Sequence, residues 1–221
     1  MKPTPVLALG LSLAVALTAC GTAAMQNDTP NPSLDVKDRQ PPRPQLKRNP
    51  NPTAYEITLK IEGAPGEFGS IRGFMQYETK LDDPCMPDLG GMAGTRMRLK
   101  ENVPYVLEKV SQGTYRGTVY TDLFSDEDYF GLGVCHVGMV EARAELRIDD
   151  STNASVFFDG LSPELIVAGK EKVAFFAKRH YLQGGMDRLP VAGMPDKSPA
   201  KEKWPQDELF SIRFSARRLT P

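Results

Sequence analysis

Residues 134–148 carry the strongest folding constraint in this chain. Val134, Val140, Ala142, Ala144, Leu146 and Ile148 fall on one parity with His136 and Gly138, and Glu141, Arg143, Glu145 and Arg147 fall on the other. A period of two places alternate side chains on opposite faces, so the segment predicts a half-buried β-strand. The same rhythm opens at residue 55: Tyr55, Ile57, Leu59 and Ile61 alternate with Glu56, Thr58 and Lys60. It recurs over 71–79, where Ile71, Gly73, Met75 and Tyr77 share a face, and over 95–100, 105–110 and 114–121. Shorter apolar runs at 156–158 and 172–178 and a final alternation of Phe210, Ile212, Phe214 and Ala216 complete the set.

Turn signals separate these strands: Gly63-Ala64-Pro65-Gly66 follows the first, and Ser111-Gln112-Gly113 precedes the strand at 114. Only 163–170 has room for a helical turn. The expected fold class is therefore all-β: a single antiparallel β-sandwich over residues 55–219, immunoglobulin-like in architecture, with a distorted β-barrel as the alternative. The immunoglobulin Cys…Trp…Cys signature is absent, because the only tryptophan is Trp204. Residues 184–205 are rich in Gly, Pro and Lys and make an unusually long connection for a compact domain. A net charge of −1 over 221 residues provides no basic field for nucleic acid.

The chain upstream of residue 55 is of another kind. Lys2 precedes an apolar run over 6–17, too short to span a bilayer but suited to a signal-peptide core. The run ends in Leu17-Thr18-Ala19-Cys20-Gly21, which resembles the lipobox of bacterial lipoproteins. That resemblance implies a signal peptide over 1–19, cleavage before Cys20, and a diacylglyceryl group with palmitate-type chains on its sulfur. Two or three such chains anchor stably where one gives only marginal membrane binding. By the same resemblance, Gly21 in place of an aspartate implies the periplasm-facing outer membrane. Residues 20–54 then form a lipidated N-terminus and flexible tether. They hold Pro30, Pro32, Pro41, Pro42, Pro44, Pro50 and Pro52 and no apolar periodicity, and so cannot bury enough surface to offset ordering. As a coil the tether reaches roughly 30–35 Å. Its basic residues Arg39, Arg43, Lys47 and Arg48 read as solvated charges, or as a contact to anionic lipid or peptidoglycan.

With Cys20 lipidated, Cys85 and Cys135 remain as an even pair in an exported protein, and a disulfide between them is the simplest expectation. Between them lies the most distinctive local sequence, Asp126-Glu127-Asp128-Tyr129-Phe130-Gly131-Leu132-Gly133-Val134-Cys135. Acids beside aromatics are the composition of an interface anchor, so Asp126, Glu127, Asp128, Tyr129 and Phe130 form the candidate partner-binding loop. A hairpin loop whose aromatics cover the domain edge would have the same composition. Asp122, Asp126 and Asp128 have oxygens suited to Ca²⁺, but the spacing does not match an EF-hand. No other cofactor or metal is expected.

Catalytic patterns are scarce: the chain has no Gly-x-Ser-x-Gly elbow, HExxH or P-loop. Ser198-Pro199-Ala200-Lys201 fits Ser-x-x-Lys but sits in a proline-rich stretch where no helix is expected. His136 lies at the apolar-face register of the long strand and is expected to be packed. A hydrolase would need His136, Asp126 and Asp128 in one pocket.

Residues 119–136 resemble a loose group of proteobacterial lipoproteins with an acidic Asp-Glu-Asp-aromatic-aromatic-Gly-x-Gly-Val-Cys run. In that group an aromatic often follows the histidine; here Val137 stands there. The resemblance implies a small exported lipoprotein of the binding-module type, and a recurrent kind protects its own cell by capping an antibacterial toxin. The expectation is a non-enzymatic, lipid-anchored immunity or inhibitor lipoprotein that blocks a secreted effector. The alternative is a structural or docking lipoprotein of an envelope assembly or secretion machine.

Overall fold

The computed structural model of the protein describes residues 42–80, 82–90, 94–149, 155–182 and 190–220. The expected signal peptide, Cys20, most of the expected tether and residues 184–189 lie outside the described residues. Among the described residues, eleven strands form two sheets that face each other and do not close into a barrel. The strands are β1 (Ala54–Glu62), β2 (Ser70–Thr79), β3 (Lys100–Tyr105), β4 (Glu108–Ser111), β5 (Thr114–Tyr120), β6 (Val137–Arg147), β7 (Val156–Leu161), β8 (Lys172–Ala177), β9 (Val191–Ala192), β10 (Met194–Pro195) and β11 (Leu209–Arg218). One sheet runs β10-β8-β11-β1-β5-β4 and the other β3-β2-β6-β7-β9.

The period-two pattern does its expected work at the centre of both sheets. In β1, Tyr55, Ile57 and Leu59 are buried, and Leu59 pairs with the buried Phe214 of β11. Met75 and Tyr77 of β2 and Ala142, Ala144 and Leu146 of β6 face them from the other sheet's inner side. Phe157, Phe176 and Phe210 bridge the two layers, with ring centroids 5.2–5.7 Å apart. Each such side chain withdrawn from water contributes about 1.5–3 kcal/mol. Pro104 sits in β3, an edge strand, where a missing N–H leaves only one neighbour to disturb.

Three features differ from the expectation. The long alternation is broken: Gln76 pairs with Glu141 but Tyr77 pairs with Met139, so Val140 is an extra residue in β6. This β-bulge flips the parity. Val137 and Met139 are buried, Val140 is exposed, and His136 lies on the solvent side instead of the core face. The sheets are also not wholly antiparallel, because β9 pairs with β7 in parallel. Residues 190–205, whose order the sequence leaves open, are structured: β9 borders one sheet, β10 borders the other, and α3 (Pro199–Glu202) follows.

Finally, residues 46–53, expected as part of the tether, are held against the domain. Leu46 packs against the core, and 47–53 hydrogen-bond to the loop after β5. Proline-rich composition concealed this, since the contacts are made by backbone groups and by the non-periodic side chains of Leu46, Lys47, Arg48, Asn49 and Thr53. The helical turn expected within 163–170 is present as α1 (Pro163–Ala168), ended by Gly169 at φ 61°, a left-handed value that favours glycine. A further short helix, α2 (Lys178–Leu182), was not expected.

Candidate functional site

The loop from 121 to 136 links the two sheets, and each of its acids holds a particular group: two reach the 47–53 segment, one the start of β6 and one the loop's own tip. Asp122 accepts from the Thr53 backbone N–H at 2.6 Å and from the Thr53 hydroxyl at 3.0 Å. Asp126 accepts from the Val137 N–H at 2.9 Å, where β6 begins. Glu127 pairs with Lys47 Nζ at 2.5 Å, and its carbonyl accepts from the Cys135 N–H at 2.9 Å. Asp128 accepts from the Leu132 N–H at 3.1 Å and so closes the tip. Tyr129 is half-buried; its hydroxyl donates to the Ser125 carbonyl at 2.8 Å and accepts from the Lys47 N–H at 3.1 Å. Burial, reinforced by Glu127 and Asp126, raises the Tyr129 phenol above its ordinary pKa, so it keeps its proton as a donor.

A small lobe supports this loop. Cys85 and Cys135 form the expected disulfide, with Cα atoms 5.2 Å apart, and both are fully buried. Met86, Tyr129 and Phe130 pack around it as a cluster separate from the main core. Two residues before Cys85, the buried Asp83 forms a second clamp. Its carboxylate accepts the His136 backbone N–H at 2.6 Å and lies 3.0 Å from His136 Nδ1. Burial pushes the Asp83 carboxyl up, but the hydrogen bonds and charge of His136 outweigh it and hold the acid below its ordinary value. Thus the disulfide and the Asp83 contacts join the same two segments at adjacent positions.

The five proposed loop residues are together, but they divide by role. Tyr129 and Phe130 face inward and hold the loop, while Asp126 and Asp128 stay exposed. The apolar surface is supplied by Leu132 and Val134, 54% and 50% exposed. Gly131 and Gly133 take positive φ values of 72° and 111°, so the tip turns where other residues would be strained.

Asp122, Asp126 and Asp128 do not converge, and among the described residues no three His, Cys, Asp or Glu side chains are grouped to hold a metal ion. His136 meets Asp83 and not Asp126 or Asp128 side chains. It is half exposed, with its ring braced by a buried carboxylate. Ser198 and Lys201 do lie one helical turn apart, because Ser198 caps α3 by accepting the Lys201 N–H at 3.1 Å. The Lys201 amine, however, pairs with Asp196 at 2.8 Å and lies over Phe175, so it does not address the hydroxyl.

Asp83, Asn49, Thr53, Leu132 and Val134 take part in this site without having been assigned to it from the sequence, although Leu132 and Val134 lie in the 126–135 run. Only Asp83, two positions from a cysteine in a loop with Pro84 and Pro87, carried a local hint. No protein-family model matches the chain, and no match is found among curated proteins or solved structures.

Proposed function

We propose that this protein is a non-enzymatic binding module that engages a protein partner through the 126–135 loop. The observation that carries the reading is the loop's preorganisation. A disulfide, the clamp of buried Asp83 on His136 and a doubly bonded Tyr129 hold an exposed tip of Leu132 and Val134 beside Asp126 and Asp128. A rigid loop loses little conformational freedom on binding, and apolar residues ringed by acids suit a pocket with a basic rim. Our specific version is an immunity or inhibitor lipoprotein, anchored by lipid on Cys20 at the periplasmic face of the outer membrane, that plugs the cleft of a secreted antibacterial effector.

The chain with Leu132→Asp and Val134→Asp, compared with wild type as bait in periplasmic extracts from competing cells, tests the reading. Wild type should retain a secreted enzyme and suppress its activity; the variant should not. Equal capture by both would discard the loop as the interface. The anchor is tested separately by fatty-acid labelling, which Cys20→Ser should abolish.

A further inference from the structure

We propose that residues 46–53 are a releasable strap that couples pull on the upstream chain to the binding loop. The proposal rests on the reading of 126–135 as a partner-binding loop and of the upstream chain as anchored.

The strap lies antiparallel to 122–125. The Asn49 N–H donates to the Leu123 carbonyl and the Ser125 N–H to the Lys47 carbonyl, each at 2.9 Å. Between these bonds Arg48 faces Phe124, its guanidinium 5.8 Å from the ring centre. The Asn49 amide donates to the Asp122 carbonyl at 2.9 Å, and Thr53 holds the Asp122 carboxylate with two hydrogen bonds. Beyond Thr53 the chain enters β1, which is paired on both sides, with β5 and with β11.

The contacts are graded along the strap. At the upstream end, Lys47 and Glu127 are 67% and 38% exposed, and Leu46 is only partly buried. Nearest β1, Asp122 is half-buried and doubly bonded. Tension from upstream therefore loads the exposed Lys47 contacts before those of Asn49 and Thr53, and the Lys47 contacts, to the Glu127 carboxylate, the Tyr129 hydroxyl and the Ser125 N–H, belong to the loop. Release of Lys47 removes the partner of Glu127 and one of the two hydrogen bonds at the Tyr129 hydroxyl. Peeling stops at β1, where a pull must break two ladders together. The disulfide and Asp83 keep the loop base joined throughout. The strap thus allows a loop held firm in the slack protein and loosened when the upstream chain is pulled.

Force spectroscopy on the full chain, with handles at the two termini, tests this. Before the sandwich opens, a low-force event should release the eight residues 46–53, a contour of at most about 29 Å. Lys47→Ala with Asn49→Ala should lower the force of that event and leave the force of sandwich opening unchanged. In the same variant without load, exchange of the Ser125 amide should rise roughly tenfold while the Leu59 amide is unaffected. A single rupture with no earlier event overturns the proposal. So does an unchanged Ser125 amide, or one that changes in step with Leu59. Partner capture and lipid labelling do not depend on these readouts, so failure here is distinguishable from failure of the functional reading.

Discussion

The sandwich core and the disulfide lobe solve the same problem by different means. Between the sheets, order comes from apolar area: Phe157, Phe176, Phe210 and Phe214 are each buried to 1% exposure or less. Around Cys85 and Cys135 the apolar cluster is small, and order comes from one covalent bond and from hydrogen bonds to carboxylates. Apolar contacts are non-directional and shared among many residues. Clamps are directional and few, so each holds a particular backbone group in place. A loop meant to present a defined surface benefits from the second arrangement, and its tip can stay exposed because the fold does not depend on burying it.

The two regions should break differently. Phe157→Ala should have the largest effect, about 3–5 kcal/mol, because the cavity opens between both sheets. Thermal unfolding should remain a single transition at a lower Tm. Replacing both Cys85 and Cys135 with Ala should cost up to about 4 kcal/mol, given the sequence separation of 50. Here the loss of amide protection should concentrate in 82–90 and 126–137 instead of spreading through β1 and β11. Asp83→Asn should cost about 1–3 kcal/mol by weakening the two contacts that the buried carboxylate makes to His136.

Acid should act on the same clamp. The folded Asp83 has a lowered pKa, so its stabilisation is fully present above the ordinary carboxylate range near about pH 4 and is lost as pH falls through the folded value. Exchange of the His136 amide, corrected for intrinsic rate, should therefore rise on acidification below about pH 4 before that of Leu59. The smallest global effect is expected from Lys47→Ala, whose ion pair with Glu127 is exposed: Tm should be unchanged within error.

The contrast also explains what could be read from the sequence. The core strands were legible because burial on one face of a strand writes a period of two, as in β1 and β11. The pattern failed at Val140, where a bulge in β6 changed the parity without any mark in residue type, and with it the side on which His136 lies. The disulfide was legible because only two cysteines remain after Cys20. Asp83 was not, since its role depends on the disulfide bringing residue 83 beside 136. The strap was hidden because Asn49 and Thr53 act through hydrogen bonds to residues 69–73 positions away, which leave no periodic mark, and prolines around them made the segment resemble the chain before it.

The most direct test of the account is residue-resolved hydrogen exchange on the oxidised and reduced protein under native conditions. The account predicts that reduction strips protection from the Cys135, His136 and Val137 amides while Leu59, Ile212 and Phe214 keep theirs. Equal loss across both groups would contradict it, because the lobe and the sandwich would then be one cooperative unit and the loop would have no independent clamp.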